Sequence, residues 1–210
     1  MLKLITSLTF LTYASLAKNI KFNSNDPRGQ ISDPNNQCLL QPVNSELSNL
    51  TTEIYTYKYN DGLHASNILS AVRHEGCSGN GACTWQFIQC DYSQAYNAAI
   101  YTLKNIKYGT HLYANIAAAM SHLSDTLDNI CYVYKYYQFV VYKDPCDGQY
   151  YLYNLAYNQW VYASTLNLVT HSSCGEGQAY GHGCGDYRSM VLKGVGGVGG
   201  EQMNEFDILK

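Results

Sequence analysis

The alternation of apolar and polar positions first marks residues 54–59, where Ile54, Tyr55, Thr56, Tyr57, Lys58 and Tyr59 read as a strand. It closes on the turn signal Asn60-Asp61-Gly62. Residues 84–90 are short, aromatic and β-branched, which predicts a second strand. From 130 to 142 almost every residue is a strand former until Asp144 and Pro145 end the run, and 149–155 and 160–169 predict two more strands. The turn-rich cluster between Lys143 and Gly148 makes the first two of these a hairpin.

Helical spacing appears elsewhere. Ile68, Leu69 and Val72 fall on one stripe within 65–73, with Gly76 just beyond to end a short helix. Capped by Asp91 or Ser93, residues through Ile106 place Tyr96, Ala99, Ile100 and Leu103 on one face. A second long helix is predicted over 111–127, burying Ile116, Ala119, Met120, Leu123 and Leu127. The sum is an α+β fold: an antiparallel sheet with two main helices packed on one face, stapled by disulfides.

Four segments follow from composition. Residues 1–17 carry Lys3, an apolar run and small residues at Ser15 and Ala17, the pattern of a cleaved secretory signal. A loop-rich arm over 18–52 is dominated by Asn, Ser, Asp, Gln and Pro, and a single globular domain is expected over 53–193. Glycine dominates the tail, 194–210. No later segment is apolar for long enough to span a bilayer, so the product is expected to be secreted and free of a transmembrane segment.

The chain has 210 residues and a formal charge of −3. Loss of the leader removes Lys3 and makes the balance −4. That is too acidic for a nucleic-acid binder relying on phosphate neutralisation, so no nucleic-acid partner is expected. Eight cysteines, Cys38, Cys77, Cys83, Cys90, Cys131, Cys146, Cys174 and Cys184, lie beyond the leader. An even count in a secreted chain reads as a disulfide framework, with the pairing left open. Asn49-Leu50-Thr51 is a glycosylation sequon, which makes Asn49 a candidate acceptor.

Candidate chemistry is sparse. His171, Cys174, His182 and Cys184 offer a tetrahedral donor set, but in an oxidising compartment the thiols are expected in bridges, so neither metal nor cofactor is assigned. His171 and His182 with Glu176 or Asp186 are the candidates for acid–base work in an RNase-like toxin. Neither a Gly-x-Ser-x-Gly elbow nor a His-Glu-x-x-His helix occurs, and binding is expected ahead of catalysis. Twenty-one tyrosines concentrate in the strands, including Tyr132, Tyr134, Tyr136, Tyr137, Tyr142, Tyr150, Tyr151 and Tyr153. Alternation would place many on the solvent side, where flat rings with a hydroxyl suit sugar or protein surfaces, but tyrosine filling the sheet itself is the leading reading.

The spacing Cys77-x-Gly79-x-x-x-Cys83 resembles the opening motif of the small secreted fungal killer toxins known from smut fungi. Tyr108-Gly109 with the alanine run beyond it, Ile130-Cys131-Tyr132-Val133 and His182-Gly183-Cys184-Gly185 resemble later steps of that family. The resemblance implies a compact α/β sandwich that acts on a target-cell surface protein or glycan. Some members block cation channels through basic surface groups, and the acidic balance here departs from that mode. No Lys-Arg, Arg-Arg or Lys-Lys pair is present, which implies a single-chain product. A tyrosine-rich cell-wall or spore-coat protein is the structural alternative.

Overall fold

The computed structural model describes residues 40–68, 70–123, 134–145, 148–172 and 189–193. The predicted leader, most of the arm and the glycine-rich tail lie outside them. In chain order the elements are β1 (Gln41–Pro42), a 3-10 turn η1 (Ser45–Leu47), β2 (Thr51–Thr56), β3 (Gly62–Ala65), β4 (Val72–Glu75), β5 (Thr84–Ser93) and β6 (Ala98–Asn105). They continue with β7 (His111–Ala114), β8 (Met120–Leu123), a second 3-10 turn η2 (Lys135–Tyr137), β9 (Phe139–Lys143), β10 (Tyr150–Asn154), β11 (Gln159–Ala163), β12 (Val169–Ser172) and β13 (Met190–Leu192).

The α+β expectation is overturned: among the described residues there is no α-helix. The stretch 91–106 is the end of β5, a turn and β6, and 111–123 is the β7–β8 hairpin. The helix expected over 65–73 is the tip of the β3–β4 hairpin. The misreading of β6 has a physical cause, since a strand buried on both faces shows no period-2 alternation. Ala99, Tyr101 and Leu103 enter the main core, whereas Ala98 and Ile100 enter smaller clusters on the other face.

Six strands close a ring. β2 pairs with β5, β5 with β6, β6 with β9, β9 with β10, β10 with β13, and β13 returns to β2, every pairing antiparallel. The three remaining hairpins, β3–β4, β7–β8 and β11–β12, sit over this barrel. Trp85 ties barrel to hairpin by donating its indole N–H to the Leu63 carbonyl at 2.6 Å.

Ring and hairpins follow an internal repeat of about 49 residues. Tyr59, Tyr108 and Tyr157 are equivalent, as are Ala65, Ala114 and Ala163, and so are His74, His122 and His171. Asn60, Gly109 and Asn158 take φ of 53°, 65° and 53° in the same turn of each repeat. Residue types that tolerate the left-handed region are required there. In the second and third repeats a fully buried asparagine closes that turn. Asn105 donates to the Ala82 and Thr84 carbonyls and accepts from the N–H groups of Lys107 and Tyr108. Asn154 donates to Tyr136 and Gln138 and accepts from Ala156 and Tyr157.

The tyrosines of β9 and β10 follow the sheet-filling reading and not the exposed row. Tyr142, Tyr150, Tyr151 and Tyr153 are buried, and Tyr142, Tyr151 and Tyr153 pack edge-on around Trp160 at 5.7, 6.1 and 5.0 Å. Here tyrosine fills the sheet.

Candidate functional site

At the closed end of the barrel the three hairpins meet around a pseudo-threefold axis, and one buried histidine from each holds its neighbour. His74 Nε2 donates to the Ser164 carbonyl at 2.6 Å, His122 to Ser66 at 2.7 Å and His171 to Asn115 at 2.8 Å. The circuit runs from the first repeat to the third, from the second to the first, and from the third to the second. Each imidazole stacks on the tyrosine of its own repeat, Tyr59 at 4.4 Å, Tyr108 at 5.3 Å and Tyr157 at 4.7 Å. Each Nδ1 meets the side chain at the position two after that tyrosine: the Asp61 carboxylate at 3.3 Å, the Thr110 hydroxyl at 2.8 Å and the Gln159 amide at 2.6 Å.

This hub accounts for His171, the described member of the acid–base candidates. It is 3% exposed and both ring nitrogens are engaged; burial holds its pKa below the ordinary value, and the bond to Asn115 opposes that shift. His182, Glu176 and Asp186 lie outside the described residues, as do Cys38, Cys131, Cys146, Cys174 and Cys184. Cys77 is bonded to Cys83, and Cys90, at the irregularity in β5 between Gln89 and Asp91, is also in a disulfide. Asn49 is exposed, with φ of 63°. Among the described residues no cluster of His, Cys, Asp and Glu is arranged to hold a metal. None of their helices is long and apolar enough to cross a membrane.

The aromatic surface lies on the second repeat. Tyr134 and Tyr136 stack with ring centroids 5.0 Å apart and an interplanar angle of 11°. Tyr113 of β7 meets Tyr136 at 5.9 Å and Tyr137 at 5.5 Å. Tyr137 is buried and anchors the group, while Tyr134 is 39% exposed and Tyr113 and Tyr136 are half-buried. The loop is fixed from below: Asn154 holds the Tyr136 and Gln138 carbonyls, and the Tyr137 N–H donates to the Tyr134 carbonyl. The position of Tyr113 is filled by His64 in the first repeat, where Glu75 and Arg73 surround it, and by Tyr162 in the third. Sequence order does not bring Tyr113 to Tyr136; the 49-residue spacing of Tyr, Ala and His was the signal that places β7 in a hairpin.

A cavity of about 310 Å³ opens beside β1, lined by Gln41, Val43, Glu46, Lys143 and Tyr150. The Lys143 ammonium lies 5.4 Å from the Tyr150 ring centroid, so this cavity combines charge of both signs with one aromatic wall.

Barrel, triangular cap and threefold repeat together define the β-trefoil class of fold. A designed three-fold symmetric protein, ThreeFoil, is similar over 68% of this chain and 96% of its own, at 15% identity and a TM-score of 0.50. The GlcNAcα1-4Gal-releasing endo-β-galactosidase of Clostridium perfringens is similar at 13% identity and a TM-score of 0.51, over 68% of this chain and only 31% of the enzyme. The cytolethal distending toxin of Haemophilus ducreyi is similar over 72% of this chain and 87% of its own, at 14% identity and a TM-score of 0.50. No protein-family model and no curated protein matches the chain.

Proposed function

We propose that this protein is a secreted, disulfide-held binding module of toxin type that recognises a glycan on a target-cell surface through Tyr113, Tyr134 and Tyr136. The stacked, outward Tyr134–Tyr136 pair carries the reading. Rigid aromatic faces offer contact area at low entropic cost, and their hydroxyls add polar contacts at the rim. The buried Tyr137 and the Asn154 bonds hold the pair in place before any ligand arrives, which lowers the cost of binding. A fold shared with a bacterial toxin and with part of a galactosidase supports the same reading without transferring either activity. The killer-toxin resemblance supplies the finer proposal, a fungal target cell.

The test is binding of purified protein to a glycan array and to fungal cells, beside Tyr134→Ala/Tyr136→Ala. The double variant is expected to lose roughly tenfold or more in affinity with an unchanged melting temperature. Absence of glycan binding by the wild type, or equal binding by the variant, refutes the assignment.

A further inference from the structure

We infer that the capped end of the barrel is a second binding surface, which seats on the interface of a zwitterionic lipid bilayer. Each of the three hairpins presents one large aliphatic side chain at its tip: Ile68 at 56% exposure, Ile116 at 91% and Leu166 at 78%. The hub sets these tips around one axis at the same end of the molecule, because each hairpin is hydrogen-bonded to the next. Isolated bridges between Ala71 and Ser121, Arg73 and Leu168, and Ala119 and Thr170 tie the same circuit together. A flat surface meets all three tips at once.

The backbone says what covers them. An apolar medium requires internal partners for polar backbone groups, a condition that water does not impose. Several backbone groups at these tips have such partners. Ile68 N–H donates to Ser66 Oγ, Leu166 N–H to Ser164 Oγ, and the N–H groups of Ala117 and Ala119 both donate to Asn115 Oδ1. The carbonyls of Ser70, Ala118 and Asn167 accept the backbone N–H of the hub histidine in the adjacent repeat, at 2.8, 2.8 and 3.2 Å. No residue of 66–71, 115–119 or 164–168 carries a charge. The tips carry no basic residue, Arg73 beside Leu168 is paired with Glu75, and the chain is net negative, so anionic headgroups gain no attraction and a zwitterionic surface is the lipid that fits.

Area separates this occupant from a second copy of the chain. The three side chains expose on the order of 400 Å² of aliphatic surface, against roughly 800 Å² per partner in a stable protein interface. Three aliphatic wedges of that size suit shallow, reversible insertion at the headgroup boundary.

Sedimentation with pure phosphatidylcholine vesicles tests the inference. Such vesicles carry no glycan, so the outcome is independent of the tyrosine surface. Wild-type protein is expected in the pellet, Ile116→Ser is expected to bind more weakly, and Ile68→Ser/Ile116→Ser/Leu166→Ser to lose roughly tenfold or more, with the same melting temperature. Adding anionic lipid is expected not to raise binding. Failure of the wild type to sediment, binding by the single and triple variants equal to wild type, or a rise with anionic lipid overturns it. So does a wild-type dimer in light scattering that the triple variant dissolves without any vesicle binding, an outcome that assigns the face to self-association.

Discussion

His122 and Ser66 lie in different repeats, 56 positions apart, yet the imidazole Nε2 of one donates to the backbone carbonyl of the other at 2.7 Å. The bond is buried, and the same histidine donates its backbone N–H to Ser70. Its removal leaves a buried carbonyl without its partner and a void beneath Tyr108. His122→Ala is therefore expected to cost about 2–4 kcal/mol in urea unfolding. A loss below about 0.5 kcal/mol, the range of an ordinary surface change, contradicts the hub.

Asn105 and Asn154 occupy equivalent places, each donating to two carbonyls and accepting from two N–H groups. Alanine at either position removes four hydrogen bonds made by one fully buried amide and leaves a void in its place, and each substitution is expected to cost about 2–4 kcal/mol. Thr56, at the same position in the first repeat, donates its hydroxyl to the Asp61 carbonyl and lacks the asparagine's second arm. Thr56→Ala is expected to cost about 1 kcal/mol. Equal losses at all three positions in chemical denaturation refute this ranking.

Gly62 lies directly under the Cys77–Cys83 bond, and a β-carbon there runs into both sulfur atoms. Gly62→Ala is expected to destabilise by about 1–3 kcal/mol, the usual cost of overpacking. Gly76→Ala, whose β-carbon meets nothing within 4 Å, serves as the neutral control. The penalty at Gly62 should shrink in a Cys77→Ala/Cys83→Ala background; a penalty that persists unchanged there locates the clash elsewhere.

Acid is expected to weaken the fold through two histidines. Burial lowers the pKa of His64 and of His171 from the ordinary 6.5; at His64, Glu75 opposes the shift while Lys107, His122 and Arg73 add to it. The unfolded chain therefore takes up protons first as pH falls. The stability these groups contribute is complete above about pH 6.5 and is lost as pH drops from there through the folded-state pKa. Melting temperature should fall between about pH 7.5 and pH 5, and His64→Gln should reduce that fall. An identical fall in the variant removes His64 from the account.

Strands were legible where one face is wet, as in β2 and β5, or where the run is strongly aromatic, as in β10. β6 was not, because its Ala98-Ala99-Ile100 start is an apolar run with a helix-forming pair and no polar face to set a period of two. The tip of β7–β8 misled for another reason. Asn115 to Ala119 is rich in a strong helix former, yet Ala118 takes φ of 62°, held there by the Asn115 side chain and by the His171 N–H on its carbonyl. Tertiary bonds override local propensity at that point. The hub itself was written in the 49-residue recurrence of Tyr, Ala and His, and a search for repeats before periodicity finds it. The tyrosine surface was legible only as composition, since its members come from β7 and a loop more than twenty residues later.

The last stave of the barrel is also the last of the described strands to be made. β13 seals the ring against β2, and Lys193 receives the Thr52 hydroxyl across 141 positions and reaches Glu53 with its ammonium. Strand pairing over such a span has to await synthesis of residue 193, so two repeats can mature first while the seam stays open. The newborn molecule thus passes through an unsealed interval, and it is there, ahead of any encounter with a target, that folding helpers have their hold on it.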